Sequence, residues 1–176
     1  TKGVKAVVIV TTDKCYENND LGVPFKESDQ LGGNDPYSAS KACTEIVANS
    51  YRSSFFDPSG IGLATARAGN VIGGGDFSAK RLVPDILEAS NNGNELELRY
   101  PNAIRPWQHV FDVLWGYLVL AEKLTKDFKK FSSGWNFGPS ERSNLTVLEL
   151  VKMFYDLGLN SSLKWSIADD ASIVKE

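Results

Sequence analysis

One short run constrains the fold of this chain more than any other. Residues 6–11 read Ala-Val-Val-Ile-Val-Thr, almost entirely β-branched and with no polar side chain before the threonine. A strand that meets water on one face alternates apolar and polar residues. An unbroken run suits a strand covered on both faces, as in parallel sheets flanked by helices. The rest of the chain is consistent with that. Residues 13–33 are polar and contain glycines, so they read as a loop. Asp35-Pro36 is a helix start, a capping aspartate with proline in the first turn, and the helix is expected to run to about residue 55, where Pro58 and Gly60 stop it. A second strand is expected over 61–67 and a glycine-rich loop over 69–75. A short helix comes next over 82–89, beginning near Pro84 and closed by residues 91–94, then a strand over 95–100. Asp112 can cap a long apolar helix reaching about Leu124. Beyond it lie a short strand at 135–137, a helix opened by a Thr146–Glu149 capping box and ending at Gly158, and a last strand over 163–167. Alternating strands and helices argue for the α/β class. From about Gly74 onward the elements shorten, as in a smaller, irregular lobe that folds over the end of the sheet.

Composition narrows the function. The chain has 176 residues and a formal charge of -3, so it can bury a core, and nothing in its charge suggests a nucleic-acid backbone as partner. The apolar stretch 113–121 is too short to span a bilayer, so no membrane partner is expected. Cys15 and Cys43 fit neither a redox pair nor a zinc site, which suggests a reduced, cytoplasmic setting. His109 is the only histidine, which excludes a His-rich metal centre. The chain opens at Thr1 almost directly into its first strand and is expected to be a fragment.

The residues that suggest chemistry are Tyr37 and Lys41. At a spacing of four on a helix they share one face, and an ammonium one turn away favours the phenolate, making the phenol a usable base toward a hydroxyl. The same spacing also occurs as an unremarkable helix pair. The context adds to it. The first strand ends in Thr11-Thr12-Asp13-Lys14, and ligands of open α/β sheets bind beyond the carboxyl ends of the strands.

These segments, together with Arg67-Ala-Gly-Asn70-Val-Ile-Gly-Gly-Gly-Asp76, Ile104-Arg105-Pro106-Trp107-Gln108-His109-Val110 and Trp135-Asn136-Phe137-Gly138-Pro139, resemble the nucleotide-sugar 4,6-dehydratases of the extended short-chain dehydrogenase type. The resemblance covers residues 7–154. Lys14 and the 105–110 segment are most similar to the CDP-glucose branch; the dTDP-glucose branch carries glutamate where Lys14 stands. The resemblance implies a Rossmann-like parallel sheet, an NAD cofactor, CDP-glucose as substrate and a homodimer. It also implies a redox-neutral dehydration, with a hydride taken from C4 of the hexose and returned to C6 after water is lost across C5 and C6.

By resemblance, Tyr37 removes the C4 hydroxyl proton, Lys41 supports it and holds the nicotinamide ribose, and Thr12 hydrogen-bonds the C4 oxygen. Asp13 would protonate the leaving C6 hydroxyl, a role that requires the carboxyl to stay protonated. Lys14 would take the C5 proton as a neutral amine, or else pair with Asp13 while a water acts as base. Arg67 is expected on the cofactor side. Asn70 and Arg81 are expected to contact sugar and diphosphate, and Arg105 to clamp the diphosphate, since a guanidinium matches phosphate oxygens two at a time. His109 is a candidate for the nucleotide or a structural histidine. Trp107 and Trp135 are expected to pack.

The chain contains no Gly-x-Gly-x-x-Gly between a strand and a helix. Residues 1–73 are therefore expected to form the second half of a dinucleotide-binding domain without its glycine-rich NAD half. Residues 74–176 are expected to form most of the sugar lobe with returning sheet elements. On its own the chain is expected to bind NAD poorly, which titration calorimetry would measure. An epimerase or reductase of the same superfamily, and a non-catalytic nucleotide-sugar-binding module, are the other readings.

Overall fold

The computed structural model describes residues 2–18, 22–157 and 163–168. The described residues within 1–71 and 108–138 form one compact unit, and those within 72–107 and 139–176 a second.

In the first unit, β1 (Ala6–Thr12), β2 (Gly62–Ala68) and β6 (Gly134–Phe137) form a parallel sheet in the order β1-β2-β6. Ala6 lies opposite Gly62, Thr12 opposite Ala68, and Ala68 opposite Phe137. Every residue of β2 is buried, which explains why neither face of that strand is polar throughout. Side chains alternate along a strand, so the two faces can be read from their partners. Ala64 packs with Leu120, Leu124, Phe131 and Phe137, which places the even-numbered face toward α3 (Val110–Lys126) and the short α4 (Phe128–Phe131). On this side, close approach requires small residues. A Cβ at Gly116 would meet Phe137 Cε1 at 2.5 Å. Thr65 and Arg67 instead meet Glu45 of α1 (Pro36–Tyr51), so the odd-numbered face lies under that helix.

α1 begins where expected and ends earlier. A wide π turn, Arg52–Phe56, continues it before Pro58 and a left-handed Gly60 (φ 68°) turn the chain into β2. α3 begins at Val110, not at Asp112, and its cap is His109. The capping preference of aspartate misled the reading, because the imidazole one residue before the helix takes the same role.

In the second unit, α2 (Leu82–Asn92) ends at the left-handed Gly93, and α5 (Val147–Asp156) opens with the expected capping box between Thr146 and Glu149. These helices pack Ile86, Ala89 and Val151 against Leu96 and Leu98 of β4 (Glu95–Leu98), which runs parallel to β8 (Lys164–Ile167). β5 (Ile104–His109) pairs antiparallel with β7 (Asn144–Thr146) through Ile104 opposite Thr146. Neither β5 and β7 nor the short β3 (Asn70–Ile72) was expected from the sequence. The expected helix end at Gly158, and residues 19–21 of the expected loop, lie outside the described residues.

Candidate active site

The tip of β1 is shaped by its own last residue. Thr12 is buried and extended; its Oγ1 accepts from the Lys14 backbone N–H at 3.4 Å and donates to Asp13 Oδ1 at 3.0 Å. This caps the single 3-10 turn Asp13–Cys15, which leaves Asp13 half-buried and Lys14 exposed. Beyond the turn Tyr16 is buried and stacks on Phe25, so the chain leaves the tip along a fixed path.

The start of α1 is equally local. Asp35 Oδ1 accepts from the backbone N–H groups of Tyr37 (2.9 Å) and Ser38 (3.0 Å), and Oδ2 from the Ser38 hydroxyl. The Ser38 hydroxyl and backbone bonds hold the Asp35 carboxyl below its ordinary range. Tyr37 thus sits in the first turn, 51% exposed. Lys41 Nζ lies 5.7 Å from the centre of its ring and Lys14 Nζ, from the strand tip, 5.9 Å. The structure brings Lys14, Tyr37 and Lys41 together, with Thr12 and Asp13 in the turn that carries Lys14. An exposed phenol and two lysine side chains thus stand at the carboxyl end of a parallel strand, where ligands of open α/β sheets bind.

Asn70 opens β3, half-buried, two residues past β2. Arg67 is not open to a cofactor. It is 7% exposed, its Nη2 donates to Glu45 Oε2 at 2.7 Å, and its Nη1 donates to Tyr16 Oη (2.6 Å) and the Glu27 carbonyl (3.2 Å). A charge in a dry sheet face must be paired, and here the pair fills the space between sheet and helix. His109 Nδ1 accepts from the Phe111 N–H at 3.2 Å, so that nitrogen is spent on the α3 cap. Arg81 and Arg105 belong to the second unit. Arg81 makes an exposed 3.4 Å ion pair with Asp76, and Arg105 on β5 is exposed and donates to the Ile104 carbonyl at 3.1 Å. The buried residue that the sequence reading missed is Glu45. Its signal was present: an acid one turn past Lys41, with threonine and arginine at alternate positions of an otherwise apolar strand.

Among the described residues no cluster of His, Cys, Asp or Glu could hold a metal ion, and no helix is long and apolar enough to cross a membrane.

A parallel sheet with a Tyr-x-x-x-Lys helix at its carboxyl edge defines a nucleotide-dependent α/β enzyme class, and residues 1–132 match the NAD dependent epimerase/dehydratase family; the chain belongs to that family. It is similar to the CDP-glucose 4,6-dehydratase of Salmonella typhimurium, 50% identical over 149 residues, which are 82% of this chain and 42% of that protein. The chain therefore spans less than half the length of that relative. The same fold occurs in a UDP-glucose-4-epimerase from Stenotrophomonas maltophila with bound NAD (TM-score 0.78, 22% identity, 94% of this chain and 52% of that one). It also occurs in a dTDP-glucose 4,6-dehydratase from Bacillus anthracis in complex with NAD (TM-score 0.71, 23% identity, 93% and 50%).

Proposed function

We propose that this chain carries the proton-transfer side of an NAD-dependent nucleotide-sugar 4,6-dehydratase, a hydro-lyase that turns CDP-glucose into CDP-4-keto-6-deoxy-glucose. The observation that carries the reading is the grouping of Tyr37 with two lysine side chains, Lys41 from its own helix and Lys14 from the strand tip, beside Thr12 and Asp13. A C4 epimerase or reductase needs only proton transfer at the C4 oxygen. Elimination also needs an acid for the departing C6 hydroxyl and a base for the C5 proton. A carboxyl and an amine at adjacent positions supply both, which favours dehydration.

NAD, when bound, supplies the reversible hydride acceptor. Tyr37 takes the C4 hydroxyl proton, Lys41 stabilises the phenolate and holds the ribose, and Thr12 orients the C4 oxygen. Asp13, as the protonated acid, gives its proton to the leaving hydroxyl, and Lys14, as the neutral amine, takes the C5 proton. Asn70 contacts the sugar, while Arg105 and the weakly paired Arg81 bind the diphosphate. The cytidine preference rests on the similarity to the Salmonella protein.

A second copy of the chain is the proposed partner, in a cytoplasmic homodimer. Ile46, Val47 and Tyr51 on α1, and Phe111, Leu114, Trp115 and Leu118 on α3, are large apolar side chains left exposed at helical spacing. Incubating the protein that contains this chain with CDP-, dTDP- and GDP-glucose, and looking for a keto-sugar that absorbs in base, tests the reading. Product from CDP-glucose supports it; no product from any of the three overturns it.

A further inference from the structure

One carboxylate joins the two elements that carry the candidate site, α1 and β1. Glu45 is 4% exposed and lies one helical turn beyond Lys41 and two beyond Tyr37. Its Oε1 accepts from Thr11 Oγ1 at 2.5 Å. Its Oε2 accepts from Thr65 Oγ1 at 2.6 Å and Arg67 Nη2 at 2.7 Å. Thr11 is the residue before Thr12, so the acid that seats α1 on the sheet also holds β1 one residue short of the strand end that caps the reactive turn. Arg67 extends the network. It donates to Tyr16 Oη, which donates at 2.6 Å to Asn136 Oδ1 of β6. Asn136 Nδ2 donates to the Phe25 carbonyl and its backbone N–H to Glu27 Oε1. One bonded path thus links the helix, all three parallel strands and the loop that leaves the site. β6 makes room for it, since a Cβ at Gly134 would overlap the Arg67 guanidinium.

We propose that Glu45, with Arg67, is a positioning residue of the reaction: it fixes the rotation and slide of α1 over β1 and so sets Tyr37 and Lys41 against Thr12, Asp13 and Lys14. The inference rests on the dehydratase reading for its kinetic consequence, not for the anchoring itself. An apolar contact would allow α1 to slide by fractions of an ångström. Three short hydrogen bonds to one carboxylate, one of them from a charged group, have directional minima and do not.

The test uses Glu45→Gln, which keeps the shape and loses the charge, and Thr65→Val, which removes one donor at similar volume. A Leu124→Ala variant, on the opposite sheet face, serves as a stability control. Both network variants are expected to lower kcat for CDP-glucose, Glu45→Gln by about 10–10²-fold, with KM within about threefold, the pattern of a misplaced reacting group. Leu124→Ala is expected to lose as much thermal stability with kcat within about threefold. Glu45→Gln with unchanged kcat, or Leu124→Ala with an equal loss of kcat, overturns the proposal. A second readout does not depend on turnover. Amide hydrogen exchange is expected to rise at least tenfold over residues 37–48 in Glu45→Gln, with little change along α3. Uniform acceleration in both helices, or none, overturns the anchoring. If the wild-type protein yields no keto-sugar, the dehydratase reading falls and the exchange experiment still decides the anchoring.

Discussion

Lys14 reaches Tyr37 from a different element: its Nζ stands 5.9 Å from the centre of the phenol ring, as near as the Lys41 ammonium one turn along the helix at 5.7 Å. The phenol is thus flanked by two lysine side chains, one held by α1 and one by the turn at the end of β1. That arrangement gives the helix and the strand tip separate, testable parts in the chemistry.

Tyr37→Phe removes only the proton-accepting oxygen of a half-exposed ring. The expected outcome is a fall in kcat of roughly 10³-fold, the scale of a lost general base. Affinity for CDP-glucose, measured by titration calorimetry, should stay within about threefold.

Lys14 can be tested for its two possible roles with two substitutions. Lys14→Met is expected to lower kcat about 10²-fold. Lys14→Arg keeps the charge but cannot give up its proton at neutral pH. If Lys14 takes the C5 proton, arginine fails as methionine does. Recovery of activity with arginine would mean that the side chain only pairs with Asp13.

Glu45 predicts an acid limb in the stability curve. Burial alone would raise its carboxyl, but hydrogen bonds from Arg67, Thr11 and Thr65 and the Arg67 charge outweigh burial and hold it below its ordinary 4.5. The folded state therefore binds this proton less readily than the unfolded one. The contribution is complete above about pH 4.5 and fades as pH falls through the lower folded-state value. Urea midpoints measured from pH 7 downward should drop in that window, and Glu45→Gln should flatten the drop.

Burial pushes the Cys15 thiol up to about 11, while Cys43 is exposed on α1. A thiol reagent at pH 8 is expected to label at most one cysteine per folded chain, Cys43, with Cys15 reacting only as the chain unfolds.

Trp115 is 69% exposed at the centre of the α3 stripe. Trp115→Glu is expected to weaken self-association by about 30-fold or more in sedimentation equilibrium, as for a lost aromatic anchor. A wild-type protein that is monomeric at micromolar concentration would rule out the homodimer.

The elements that could be read from the sequence were those specified by neighbours in the chain. Asp35 caps the very amides its position in the sequence suggests, and Thr146 and Glu149 close on each other across three residues. The strand β1 was legible from its unbroken β-branched run, but the burial on both faces that such a run suggests is not met: residues 6–9 are half-buried, Val10 is 53% exposed, and only Thr11 and Thr12 are buried. β5 was not legible, since Ile-Arg-Pro-Trp-Gln-His shows no alternation and its partner β7 lies far along the chain. The role of Arg67 was missed for the same reason. Its place in an otherwise apolar strand signalled a buried partner, but nothing near it in sequence singles out Glu45, Tyr16 and Glu27 as the groups that converge on its guanidinium. Tyr37 and Lys41 were legible as a pair, and Lys14 as a neighbour of the strand tip, but only the packing of the turn against α1 puts Lys14 at the phenol.

β2 presents unlike faces to its two covers. Toward α3 it offers glycine and alanine, met by side chains such as Leu120 and Leu124 whose volumes can be traded among neighbours one substitution at a time. Toward α1 it offers a base whose acid sits on the facing helix, and losing either leaves the other charged in a dry space. Variation across homologues should therefore be gradual on one side of this strand and concerted, two positions changing as one, on the other.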